Sequence, residues 1–207
     1  MNSRLMITCE DFSLEAEVMT GDEHKWAVVC HPHPLYGGDM NNEVVLTCAS
    51  VFSERGFSVV RFNFRGVGLS GGSYGGGDSE VRDFSAVTSW VKNHDVRDLW
   101  YCGYSFGAWI ILKAMCQDVP VPFPSGLVLI SPPVDFLDFS GLYLPDVPVL
   151  ITLGTKDQFC SVSSLKKWLG EAATRKKPKL EVKILDEVDH FYWNGFNMLR
   201  QALQGFL

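Results

Sequence analysis

No stretch of this chain approaches the roughly 18 consecutive apolar residues that suggest a membrane span. The start, Met1 to Thr8, lacks the basic and long apolar segments of a secretory leader. Basic residues are in deficit, 18 Lys and Arg against 24 Asp and Glu for a net charge of −6, which argues against nucleic acid or an anionic membrane as partner. The one basic run, Arg175-Lys176-Lys177-Pro178-Lys179, lies between a helical and a strand pattern and reads as a solvated loop. Cys9, Cys30, Cys48, Cys102, Cys116 and Cys160 are scattered singly, with no CxxC and no Cys/His cluster at zinc spacing. The expectation is reduced, mostly buried thiols in a cytoplasmic protein. Internal repeats, low-complexity tracts and linkers are missing as well.

What is present is an ordinary globular mixture, 46% hydrophobic and 20% charged over 207 residues, enough for one domain spanning residues 1–207. Two alternating segments, Leu5–Cys9 and Phe12–Met19, read as an antiparallel hairpin at a sheet edge. Short apolar runs at Trp26–Cys30, Phe57–Phe62, Leu99–Tyr104, Gly126–Ile130, Pro148–Leu153 and Leu180–Leu185 fit buried strands. Between them fall helical patterns at Glu43–Arg55, Asp78–Asn93, Phe106–Cys116, Ser161–Ala173 and Phe191–Phe206. Asn41 and Asn42 offer N-caps for the first of these, and Gly56 a stop. The Phe106–Cys116 pattern is apolar nearly all round, which places it in the middle of the molecule. Strands alternating with helices predict an α/β fold, a mostly parallel sheet with helices on both faces. The irregular stretch Ser131–Asp146 is too short for a large cap.

Gly103-Tyr104-Ser105-Phe106-Gly107 is a G-x-S-x-G motif where a strand turns directly into a helix. Composition alone yields the bare motif roughly 0.1 times in such a chain, so its context carries the weight. A serine on so sharp a turn has a strained backbone, its neighbours two residues away come close, and only glycine fits there. The turn lifts Oγ above the sheet edge, at the positive end of the following helix. Ser105 is therefore the expected nucleophile.

A hydroxyl needs a base at neutral pH. Of five histidines, His24 and His94 lie in polar, surface-like segments, and His31 and His33 share an early loop. His190 falls just past the last strand, on the edge where all parallel strands end, and is the expected base. Asp157, following the Pro148–Leu153 strand, is the first candidate for the acid that holds the His190 tautomer. Asp135 comes next, and Asp138 and Asp186 are further rivals. Asp189 adjoins the histidine too closely to bend back, and is expected to face solvent or cap the final helix.

With Ser105, Asp157 and His190 in that order, the chain resembles the α/β-hydrolase superfamily over nearly its whole length. His31-Pro32-His33-Pro34-Leu35-Tyr36-Gly37-Gly38 and Arg61-Phe62-Asn63-Phe64-Arg65-Gly66-Val67-Gly68-Leu69-Ser70 narrow this. They are similar to small hydrolases akin to dienelactone hydrolase and short-chain carboxylesterases. The resemblance implies a serine esterase or related acyl hydrolase without a metal or organic cofactor, and the shortness of Ser131–Asp146 favours a small, soluble ester as substrate. Two other classes stay open: a thioesterase, peptidase or acyltransferase on the same three residues, and a non-catalytic binding protein on a hydrolase scaffold. Many relatives carry His-Gly where this chain has His31-Pro32. Pro32 and Pro34 lack N–H groups, so the oxyanion donors are expected to be Phe106 with His33 or Leu35. His31 and His33 point to opposite sides of an extended segment and lack a carboxylate cluster, so they are read as loop braces and not as a metal pair. Gly66 and Gly68 are read as turn glycines, since neither P-loop nor dinucleotide spacing is present. Tyr36, Tyr104, Phe106, Trp109, Phe136, Tyr143, Phe159, Phe191 and Tyr192 crowd the expected active edge and divide between core and an apolar acyl pocket. Monomer and homodimer are equally open, the N-terminal edge hairpin being one possible contact.

Overall fold

The computed structural model describes residues 2–117, 119–172 and 179–207. Most of the basic run at 175–179, and the last residue of the helix expected at Ser161–Ala173, lie outside them. Among the described residues eight strands form one sheet: β1 Asn2–Cys9, β2 Phe12–Met19, β3 Asp22–Cys30, β4 Phe57–Phe62, β5 Asp98–Tyr104, β6 Gly126–Ile130, β7 Val149–Lys156 and β8 Leu180–Asp189. Their order is β1-β2-β4-β3-β5-β6-β7-β8. β1 and β2 form the antiparallel edge hairpin, β2 meets β4 antiparallel, and all remaining neighbours are parallel. Helices α1 Glu43–Glu54, α2 Asp78–Lys92, α3 Phe106–Cys116, α4 Val162–Ala172 and α5 Phe196–Phe206 complete the α/β architecture.

The continuous apolar strand runs make sense because both faces are covered. Val28 and Cys30 of β3, Tyr101 of β5 and Leu127 and Leu129 of β6 point to the side packed by Val81 and Phe84 of α2, Ile110 and Ile111 of α3 and Leu165 and Trp168 of α4. Their alternates Ala27, Val29, Cys102, Val128 and Ile130 meet Val45, Phe52, Leu199 and Leu203 from α1 and α5. Alternation of period two thus reads as an unbroken hydrophobic run once both faces are dry. α3 is apolar all round because it lies over the centre of the sheet, with Phe106, Ile110, Ile111 and Leu112 fully buried. All six cysteines are free; five are buried and Cys116 half-buried.

Local signals set most boundaries. The Asn42 side chain accepts the Val44 N–H at 3.0 Å and starts α1, and Gly56 turns the chain with φ of 85°. The last helix starts later than its pattern suggests, at Phe196 and not Phe191. Residues 190–195 are instead a tight turn, with Tyr192 at φ of 61°. The Tyr192 ring is fully buried, and its hydroxyl lies 3.1 Å from Ser131 Oγ and 2.9 Å from Thr152 Oγ1. Those bonds hold the segment out of helical geometry. β7 and β8 both run further than expected, to Lys156 and Asp189, so Asp157 and His190 follow their strands without intervening loop. Residues 131–148 contain neither helix nor strand, and no cap sits over the C-terminal edge of the sheet among the described residues.

Candidate active site

Ser105 sits between β5 and α3 with φ 53° and ψ −115°, a conformation that non-glycine residues rarely hold. Its N–H is fixed to the Ile130 carbonyl at 2.8 Å, and its carbonyl begins the ladder of α3. The two motif glycines follow from close approach. A Cβ on Gly103 would lie 2.5 Å from the Ala108 nitrogen, and one on Gly107 would lie 2.5 Å from the Cys30 carbonyl oxygen. The turn therefore seats α3 directly on β3. Phe106 is the first residue of α3, so its N–H stands outside the intrahelical ladder at the positive helix end.

His190 and Asp157 meet Ser105 at the C-terminal edge of the sheet. His190 Nε2 is 2.9 Å from Ser105 Oγ, and Nδ1 is 2.8 Å from Asp157 Oδ2. The Asp157 side chain is fully buried, and its other oxygen accepts the N–H groups of Phe159 and Cys160 at 2.9 and 3.1 Å. Because Asp157 Oδ2 accepts, Nδ1 carries the proton and Nε2 presents a lone pair to the serine. The imidazole is braced from several sides. The Tyr104 hydroxyl donates to the His190 carbonyl at 2.8 Å, the His190 N–H reaches Gln158 Oε1 at 3.4 Å, and the Phe159 ring stands edge-on to the imidazole at 4.6 Å. Burial pushes both the Tyr104 and Tyr192 phenols well above their ordinary range, so each stays a neutral hydrogen-bond partner.

The rival carboxylates are engaged elsewhere. Asp135 Oδ2 accepts the Ser161 N–H at 2.7 Å ahead of α4, and hydrogen bonds from Ser164 and Ser161 hold its carboxyl low. Asp138 accepts the Ser140 N–H, Asp186 the Thr155 hydroxyl, and Asp189 the Trp193 N–H within the turn before α5. Asp189 thus caps that turn and not the helix, whose own N-cap is Gly195.

The loop after β3 is tied down by its histidines and by the Arg61–Ser70 segment. His31 is completely buried; its Nδ1–H donates to the Pro32 carbonyl at 2.6 Å, while Nε2 accepts the Phe64 N–H at 3.0 Å. Both nitrogens are occupied by backbone, and burial lowers its pKa to about 4. Asn63 Oδ1 accepts the Met40 N–H at 2.8 Å, and the Arg61 guanidinium donates to the Met40 carbonyl at 2.8 Å. Arg61 is paired in turn with Glu17, and Asn63 with Glu15. Arg65 grips Asp83 through Nε and Nη2 at 2.9 and 2.7 Å. These buried polar groups, which the sequence marked only through a resemblance, hold the loop opposite the serine.

Leu35 is corrected as an oxyanion donor: its N–H bonds to His33 Nδ1 at 3.2 Å. That bond leaves the His33 proton on Nε2, 3.2 Å from the Tyr74 hydroxyl, and partial burial lowers the His33 pKa. The His33 ring packs on Phe106 at 4.8 Å, so the two remaining candidate donors are neighbours. Ser105 and His190 form the floor of a cleft of about 350 Å³ whose walls include His33, Tyr36, Phe106, Phe136, Phe159 and Phe191. Three of the aromatics grouped at this edge do not line the cleft. Trp109 donates to the Asp138 carbonyl, Tyr143 lines a separate groove, and Tyr192 is core. The Tyr192, Ser131 and Thr152 hydroxyl cluster had no sequence signal, since its members are far apart in the chain.

The family described as serine aminopeptidase, S33, matches residues 36–139, a span that holds Ser105. An uncharacterised protein of Rickettsia prowazekii is 34% identical over 187 residues, covering 87% of this chain and 77% of its own. A crystal structure from Xanthomonas campestris, described as an α/β serine hydrolase without lid, is 33% identical with a TM-score of 0.86, covering 99% of this chain and 92% of that one. An α/β serine hydrolase homologue from Coxiella burnetii is 34% identical, also at 0.86, with 99% and 97% covered. The chain belongs to the α/β-hydrolase superfamily, among its lidless serine hydrolases.

Proposed function

We propose that this protein is a carboxylesterase that cleaves small, accessible esters through an acyl-enzyme on Ser105. The observation that carries the reading is the continuous relay from Ser105 Oγ to His190 to the buried Asp157, at 2.9 and 2.8 Å. Ser105 Oγ attacks the ester carbonyl while His190 Nε2 takes its proton. Asp157 stabilises the resulting imidazolium, and the Phe106 and His33 N–H groups receive the oxyanion. His190 then returns the proton to the leaving alcohol. In the second half, His190 activates water, which attacks the acyl carbon and frees Ser105. The whole chain acts as one domain in this reading, with no metal or organic cofactor in any step.

Three features support small esters. The cleft volume, about 350 Å³, lies at the low end for ligand sites. Its walls are mainly apolar, with Pro133, Phe136, Leu137, Phe159 and Phe191 to one side of the serine. No aspartate or glutamate lines it among the described residues, so nothing there would bind the free ammonium group of an aminopeptidase substrate.

The test has two arms. A fluorophosphonate probe should label the protein at Ser105 and fail on Ser105→Ala. Hydrolysis of p-nitrophenyl esters should be highest for acetate and butyrate and fall toward palmitate. Absence of labelling refutes the serine mechanism, and a steady rise toward palmitate refutes the small-ester assignment.

A further inference from the structure

The sheet ends in two edge strands of different character. At β1, Arg4 turns back to Glu15 and Glu17 across the hairpin. An antiparallel copy of β1 centred on Leu5 would set Arg4 against Met6 and Ser3 against Ile7, polar against apolar. One centred on Arg4 would bring two guanidinium groups together.

At β8 the chemistry is self-complementary. Leu180, Val182 and Ile184 are 39%, 36% and 38% exposed. They register with Val149, Ile151 and Leu153 of β7, which belong to the core on the α2, α3 and α4 side. Among the described residues that core includes Leu165 and Trp168 of α4 but not the β8 stripe. On the opposite face, Glu181 and Lys183 pair with each other at 2.7 Å. Among the described residues no strand lies beyond β8 in the sheet, so the outward backbone groups of this edge are a ready template for pairing.

We infer that the chain forms a two-fold homodimer in which β8 pairs antiparallel with β8 of a second copy, Val182 opposite Val182. In that register Leu180 faces Ile184 of the partner subunit, and Glu181 faces Lys183 of the partner subunit. The two-fold axis repeats each match, giving two apolar and two opposite-charge cross-strand pairs around one centre. The apolar stripes join into one band of six side chains on a single face. The two sheets become continuous with their strand directions reversed. The C-terminal edges then point opposite ways, and the Ser105 clefts open at opposite ends without obstructing each other.

The experiment is a charge swap read by sedimentation equilibrium and light scattering, with circular dichroism melting to verify folding. Wild type should have twice the 23.1 kDa chain mass at micromolar concentration. Glu181→Lys and Lys183→Glu, each placing two like-charge pairs at the interface, should raise the dissociation constant about tenfold or more. The double variant Glu181→Lys/Lys183→Glu should restore the wild-type value. A monomeric wild type overturns the inference and leaves Lys183 as a guard against edge pairing. A dimer indifferent to the single reversals, or a folded double variant that stays monomeric, overturns it equally. None of these outcomes depends on esterase activity.

Discussion

Replacing Asp157 by asparagine keeps the volume of the side chain and changes what it offers to His190. Asp157 Oδ1 is held by the Phe159 and Cys160 N–H groups at 2.9 and 3.1 Å, so in Asp157→Asn the amide oxygen takes that place. The amide nitrogen then occupies the Oδ2 position, 2.8 Å from His190 Nδ1. An NH₂ group donates, which requires Nδ1 to accept and moves the ring proton to Nε2. That proton now faces Ser105 Oγ at 2.9 Å, and the ring can no longer take the serine proton. In the proposed mechanism kcat for p-nitrophenyl acetate should fall about 10⁴-fold, roughly 5 kcal/mol of transition-state stabilisation. Stability should change little, because the packing and both backbone hydrogen bonds survive. The assay is steady-state hydrolysis with a thermal melt of the same samples. Activity within tenfold of wild type, in a variant that melts normally, would refute the tautomer argument and the assignment of Asp157 with it.

Two further outcomes follow from the buried charges and from His31. Asp83→Ala should destabilise the protein by about 3 kcal/mol in urea titration, since it strips the buried Arg65 of its main partner. Asp83→Ala/Arg65→Met should recover part of that loss, and a double variant less stable than the single would contradict it. His31 is held neutral in the fold, its pKa lowered from 6.5 to about 4 by burial. Its contribution is complete above pH 6.5 and is lost as pH falls, because the unfolded chain takes up the proton first. The loss levels off near pH 4 after about 3 kcal/mol. In His31→Gln this part of the dependence should vanish between pH 7 and 5, and an unchanged slope would show that other groups cause it.

Sequence alone determined the α/β class, because each buried strand must read as a short apolar run and each helix as a longer amphipathic one. It also singled out Ser105, since the strained turn admits only glycine at 103 and 107, and that requirement is local. His190 and Asp157 were legible for a topological reason: parallel strands place every following loop on one edge. The helical pattern extends over residues 191–195, where the fold has a turn, because periodicity cannot register a tertiary tether such as the Tyr192 hydroxyl between Ser131 and Thr152. Leu35 was eliminated by a side chain two residues away, a matter of rotamer and not of spacing. Strand order ranks Asp157 ahead of Asp135 without excluding the second; the fold separates them, placing the Asp157 carboxylate on His190 and that of Asp135 at the start of α4. Only folding could show that Arg61 and Asn63 clamp the Met40 backbone, because hydrogen bonds between distant residues leave no period in the chain.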